Sequence, residues 1–80
     1  MLAELQRGRR VVGTKQTLKE IGSGRAEKVF VAENADREIR DEVISTAQKH
    51  GIDVVQIETM QELGAACEIE VGAAAAALVS

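Results

Sequence analysis

Apolar and polar positions along this chain follow two different periods, and the switches between them mark out a series of short elements. Val11 and Val12 form a brief apolar run closed by Gly13, which predicts a strand over Arg10–Gly13. Leu18 and Ile21 then recur at helical spacing, predicting a helix over Thr14–Gly22, with Ser23 and Gly24 supplying the positive-φ residues of a C-cap. Lys28–Ala32 is almost continuously apolar, as expected of a strand covered on both faces. Ile39, Val43, Ile44 and Ala47 lie on one stripe of a helix that starts at an Asp36 N-cap, runs to His50 and ends at Gly51. Asp53–Ile57 reads as the next strand. Thr59 with Glu62 three residues on forms a capping box, starting a helix through Ala66. Gly72–Val79 is read as the last strand, and Leu2–Gly8 as a weak first helix.

Strands separated by helical patterns of this length predict one α/β layered domain over residues 1–80, with a parallel or mixed sheet. The alanine run Ala73–Ala77 has high helix propensity, but Gly72 before it and Leu78-Val79 after it favour a tightly packed strand. The chain has no proline to mark a linker. Its longest weakly polar run, Val71–Val79, is far below the ~20 residues of a membrane span. Residues 1–6 include Glu4 and no apolar core of signal-peptide length. No membrane contact is expected, and the expected compartment is the cytoplasm.

Composition narrows the chemistry further. Phe30 is the single aromatic residue, which excludes modules that stack exposed bases on aromatic rings, and its valine neighbours predict a core position. Cys67 is the single cysteine and His50 the single histidine. Cys67 shares an apolar helix face with Met60 and Leu63, so it reads as a packed core thiol, and His50 reads as a helix-end structural residue. With no acid–base pair, nucleophile constellation or metal-ligand spacing, the expectation is no catalytic residue, no metal and no cofactor.

The net charge of −3 hides a strong segregation. Residues 1–28 carry seven basic against three acidic side chains, and residues 29–80 carry three against ten, giving local charges of +4 and −7. A basic third on an acidic protein points to a local polyanion site, although two solvated surfaces of opposite sign would give the same count. Within the basic third, Gly13-Thr14-Lys15-Gln16-Thr17-Leu18-Lys19 opens a helix directly after a strand. Thr14 is placed to cap that helix, and free amides at a helix start attract phosphate. Lys15, Gln16 and Lys19 fall on the face opposite Leu18 and Ile21, where they could meet phosphates and base edges. On this segment alone, an ordinary capped helix with a solvated polar face is the commoner outcome.

With these elements placed, the chain resembles the kink-turn-binding ribosomal protein superfamily of the L-seven-Ae type, in the form of its short bacterial homologues. Gly13–Lys19 is similar to that family's Gly-x-Asn-Glu-x-x-Lys. Ser23-Gly24-Arg25-Ala26-Glu27-Lys28-Val29 resembles its glycine turn into the second strand, and Val31-Ala32-Glu33-Asn34-Ala35-Asp36 its Ala-x-Asp turn. Leu63-Gly64-Ala65-Ala66-Cys67-Glu68-Ile69-Glu70-Val71-Gly72-Ala73 resembles its Leu-Gly-x-Ala-x-Gly-Ile-x-Val loop. The resemblance implies a three-layer α–β–α sandwich around a four-stranded mixed sheet. It also implies binding, as a monomer when free, to a kink-turn, an internal loop with tandem sheared G·A pairs and a bulge, in ribosomal or other structured RNA. Gly13, Thr14, Lys15, Gln16 and Lys19 would form a first RNA site at the G·A pairs. Ala66, Glu68, Ile69, Glu70 and Val71 would form a second, covering a flipped-out bulge nucleotide.

Three departures from the family pattern bear on affinity. Gln16 stands where many members have glutamate, and a neutral amide accepts more weakly from a guanine edge. Lys15 in place of asparagine adds positive charge. Glu68 replaces the loop glycine, putting a non-glycine residue where positive φ is expected and a carboxylate beside Glu70. For Ile69 and Val71, simple core packing is the competing reading. For the whole chain, a protein–protein adaptor on the same fold is the alternative function, because fold alone does not decide it.

Overall fold

The computed structural model describes residues 8–80, so the helix expected over Leu2–Gly8 lies almost wholly outside the described residues. Four strands and three helices follow: β1 (Arg10–Val12), α1 (Thr14–Ser23), β2 (Ala26–Ala32), α2 (Arg37–Lys49), β3 (Asp53–Ile57), α3 (Met60–Ala66) and β4 (Ala75–Val79). The strands form one sheet in the order β1-β4-β2-β3, with β2 and β3 parallel and the other two pairs antiparallel. The sheet is therefore mixed. A crossover through α2 joins its parallel pair, as that pairing requires.

Strict alternation sorts the strand residues onto two cores. Val12, Phe30, Ala32, Val55, Ile57, Ala76 and Leu78 face α3, where Leu63, Ala66 and Cys67 complete the packing. Val11, Val29, Val31, Val54, Ala75 and Ala77 face the opposite way, against Leu18 and Ile21 of α1 and Val43, Ile44 and Ala47 of α2. Helices thus cover both faces, which gives an α–β–α sandwich and explains why β2 reads as a continuous apolar run. Phe30 is fully buried at its centre. Ala75, Ala76 and Ala77 are also fully buried, on a strand flanked by β1 and β2, where small side chains let helices approach from both sides.

Three strand boundaries differ from the sequence reading, each for a local reason. β1 ends at Val12 rather than Gly13, because Gly13 turns the chain into α1. β2 begins at Ala26, two residues early, because a register shift between Ala26 and Lys28 accommodates Glu27 while Ala26 still pairs with Val79. β4 begins at Ala75 rather than Gly72. The Ala73 amide is turned away from the ladder, donating to the Met60 carbonyl at 3.0 Å. Asp36 stands at the N-cap of α2 as expected, but its side chain makes no capping hydrogen bond. Thr59 does: its hydroxyl accepts from the Glu62 amide at 3.0 Å, completing half of the capping box.

Candidate nucleic-acid interface

The β1–α1 junction turns on Gly13. Its amide donates to the Ala75 carbonyl at 2.8 Å, extending the β1–β4 pairing by one residue, and its carbonyl accepts from Thr17 at 3.0 Å, starting the helix. Serving both elements requires φ 104° and ψ 153°, a conformation open only to glycine. Gly13 is therefore the N-cap, and the expectation that Thr14 caps the helix is corrected. Thr14 is the first helical residue, and among the described residues no side chain caps the helix start. Lys15, Gln16 and Lys19 are exposed on one side of α1, while Thr17, Glu20 and Ile21 are buried on the other. The buried Glu20 carboxylate is forked by Arg25, with Nε 2.8 Å from Oε1 and Nη2 donating to Oε2 at 3.0 Å.

The loop between α3 and β4 begins with a paired hydrogen-bond motif. The Glu68 amide donates to the Ala65 carbonyl and the Ile69 amide to the Gly64 carbonyl, both at 3.0 Å. The same pairing ends α1, from Gly24 and Arg25 onto Ile21 and Glu20, and α2, from Gly51 and Ile52 onto Gln48 and Ala47. The motif demands a left-handed residue at its corner. Gly24 and Gly51 meet this at φ 82° and 67°; at the end of α3 the corner is Glu68, with φ 63°. Among the described residues it is the one non-glycine residue with positive φ. The loop then doubles back onto α3. A Cβ on Gly64 would collide with the Val71 carbonyl, and one on Gly72 would meet the Met60 Cβ at 3.0 Å.

Antiparallel pairing of β1 with β4 brings these two regions, more than fifty residues apart in sequence, to the same end of the sheet on adjacent strands. Val12, Met60 and Ile69 pack on one core there. Arg10, one strand step behind Val12 and on the same face, reaches along the sheet to the loop. Its Nη2 donates to the Cys67 carbonyl at 2.8 Å and lies 3.5 Å from the Glu68 carboxylate. Asn34, from the turn after β2, accepts from the Met60 amide at 2.8 Å and ties a third loop to this end.

The expected second site divides by exposure. Glu68, Glu70 and Val71 are exposed, and Val71 is the one large apolar residue standing free among the described residues, at 71%. Ile69 is half-buried and packs against the α3 core, while Ala66 is buried within it, so its side chain faces the protein interior. Neither Arg10 nor Asn34 is among the site residues expected from the sequence. The signal for Arg10 is only that an acidic left-handed corner needs a cation; Asn34 stands in the Ala-x-Asp turn motif, but nothing in the sequence reveals its Met60 partner.

The remaining candidate chemistry is quiet. Cys67 is 1% exposed, and burial pushes its thiol pKa up, partly offset by the nearby Arg10 charge. His50 Nδ1 lies 3.0 Å from the Thr46 carbonyl at the end of α2. No group of His, Cys, Asp and Glu able to hold a metal occurs among the described residues, and none of their helices is long and apolar enough to cross a membrane.

This arrangement has known relatives. Residues 2–80 match the ribosomal protein L7Ae/L30e/S12e/Gadd45 family. An RNA-binding protein of Geobacillus sp. strain WCH70 is 47% identical over 75 residues, covering 94% of this chain and 92% of the relative. The large ribosomal subunit protein eL8 of Halobacterium salinarum is 48% identical over 69 residues, covering 85% of this chain and 58% of eL8. Among solved structures, the Giardia lamblia 15.5kD RNA binding protein superposes with a TM-score of 0.84 at 30% identity, over 99% of this chain and 65% of its own.

Proposed function

The chain belongs to the ribosomal protein L7Ae/L30e/S12e/Gadd45 family, and from that premise we propose that it is a non-catalytic RNA-binding module that recognises and stabilises kink-turns. The observation that carries this reading is the meeting of two motifs from opposite ends of the chain at one end of the sheet. One offers a helix start without a side-chain cap beside exposed Lys15, Gln16 and Lys19. The other offers an aliphatic tip at Val71 on a loop packed closely against α3.

Each part answers a different feature of the RNA. The helix start, with its amides and dipole, suits a phosphate, and Lys15 and Lys19 add charge there. Gln16 can both donate to and accept from base edges. A regular A-form major groove is too narrow for such side chains, so the target is an RNA whose groove is opened, as at tandem G·A pairs. With no aromatic residue but Phe30, which is buried, an unstacked nucleotide would be covered by aliphatic surface. Val71 presents it, on a loop whose Ile69 packs against the core that contains Ala66. The RNA would be ribosomal or otherwise structured, and the setting cytoplasmic.

The adaptor alternative predicts no salt-dependent RNA affinity. A titration of the purified protein against a kinked and a straight hairpin separates the two readings.

A further inference from the structure

We propose that Arg10 is a positioning residue for the RNA-facing loop: it latches the left-handed corner at Glu68 and neutralises the carboxylate that this corner would otherwise turn toward RNA. The inference rests on the kink-turn reading for its functional consequence, but the latch itself is a property of the free protein.

Of the three helices among the described residues, α1 and α2 end on glycine and α3 ends on glutamate in the same hydrogen-bonded motif. A side chain at that corner is disfavoured by contact of its Cβ with the backbone, so the third corner needs a compensating interaction. Arg10 supplies two. Its hydrogen bond to the Cys67 carbonyl engages one of the last carbonyls of α3, at the negative end of the helix dipole, where a cation is favoured. Its charge also stands 3.5 Å from the Glu68 carboxylate. The Arg10 side chain is largely covered, at 25% exposure, whereas that of Glu68 is 62% exposed. The better-packed partner therefore holds the more exposed one. Two acidic side chains, Glu68 and Glu70, border the exposed Val71. With Arg10 in place only Glu70 remains without a counter-charge from the latch. Arg10 sits on β1, three residues before the Gly13 hinge, so the same side chain also fixes the loop relative to the start of α1.

A long-range charge effect of Arg10 on RNA would be independent of position 68; the latch makes the two positions interdependent. The test is a double-mutant cycle with Arg10→Gln, Glu68→Gln and the double variant, and Arg10→Lys as the conservative control. Kink-turn hairpin affinity, melting temperature and amide exchange at Glu68 and Ile69 are measured for each. The expected result is that Arg10→Gln weakens binding about tenfold at low salt in the wild-type background but about twofold when residue 68 is glutamine. Arg10→Lys keeps most of the affinity, and Arg10→Gln speeds exchange at both amides without RNA. Equal loss in both backgrounds, with unchanged exchange, overturns the latch. If the wild-type protein fails to distinguish kinked from straight RNA, the functional reading falls, and coupling in exchange and melting temperature still decides the latch.

Discussion

Arg10 and Glu68 stand at opposite ends of the sequence, yet the guanidinium of one lies 3.5 Å from the carboxylate of the other. The contact joins the first strand to the corner of the loop that ends α3. At that corner two requirements conflict, because the hydrogen-bond motif calls for glycine and the chain supplies glutamate. The conflict makes the first prediction.

Glu68→Gly should stabilise the protein by about 1 kcal/mol, raising the melting temperature of a domain this size by about 4–8 °C. Removing Cβ from φ 63° relieves the contact that the Arg10 latch offsets and keeps the Arg10 hydrogen bond to the Cys67 carbonyl; the ion pair lost has an exposed partner, so its loss costs less than the contact did. The larger flexibility of glycine in the unfolded chain works against this gain. Kink-turn affinity should also rise, because a carboxylate is removed near phosphate, and the gain should shrink at high salt. A lower melting temperature would show that the Arg10 pair outweighs the backbone term.

Two chemically identical substitutions should have opposite signs. Gly22 lies in α1 with open space where an alanine Cβ would stand, so Gly22→Ala should stabilise by about 0.5–1 kcal/mol through helix propensity. Gly64 lies in α3 beneath the Val71 carbonyl, so Gly64→Ala must displace the loop and should destabilise by about 3 kcal/mol. Chemical denaturation of both variants checks the contrast. Equal effects would mean that the loop is not seated on the helix.

Much of this fold was legible because the hydrophobic period was clean. β3 spans Asp53–Ile57 as the pattern predicts, and the fully buried Val29-Phe30-Val31 lies in a strand covered on both faces. What was hidden depends on tertiary partners. Thr14 has the side chain of a cap, but the helix starts at Thr14 itself and the cap position falls to Gly13, whose amide is bonded to Ala75. The last strand began late because Gly72 and Ala73 were needed against Met60. The positive φ of Glu68 was foreseen from the motif alone. Its partner was not, since nothing in sequence spacing links positions 10 and 68. Ala66 was grouped with the loop by motif, whereas its burial makes it part of the platform.

Gln16→Ala and Lys19→Ala should each weaken kink-turn binding by about 1–3 kcal/mol. Both side chains are exposed on α1, so the melting temperature should stay nearly unchanged. Isothermal titration with parallel thermal melts checks both halves. Wild-type affinity in both variants would remove this helix from the interface.

The buried Cys67 thiol gives a pH signature. Its pKa is raised above the ordinary 9.0, so the unfolded chain loses the proton first as pH rises. Its contribution to stability is therefore fully present below pH 9.0 and is lost as pH climbs through the higher folded value. Denaturation curves of wild-type protein and Cys67→Ala should accordingly converge above pH 9.0 relative to their separation at neutral pH. A constant separation would place the thiol in contact with water.

The central claim is that the two motifs brought together at one end of the sheet read the shape of a kinked RNA. Its most direct test is the affinity of the purified wild-type protein for a kink-turn hairpin, against the same hairpin with its G·A pairs replaced by Watson–Crick pairs, across a salt series. The account predicts a preference for the kinked hairpin of at least about 100-fold, with affinity falling as salt rises by the slope of a few phosphate contacts. Equal affinity for the two hairpins at every salt concentration would contradict it.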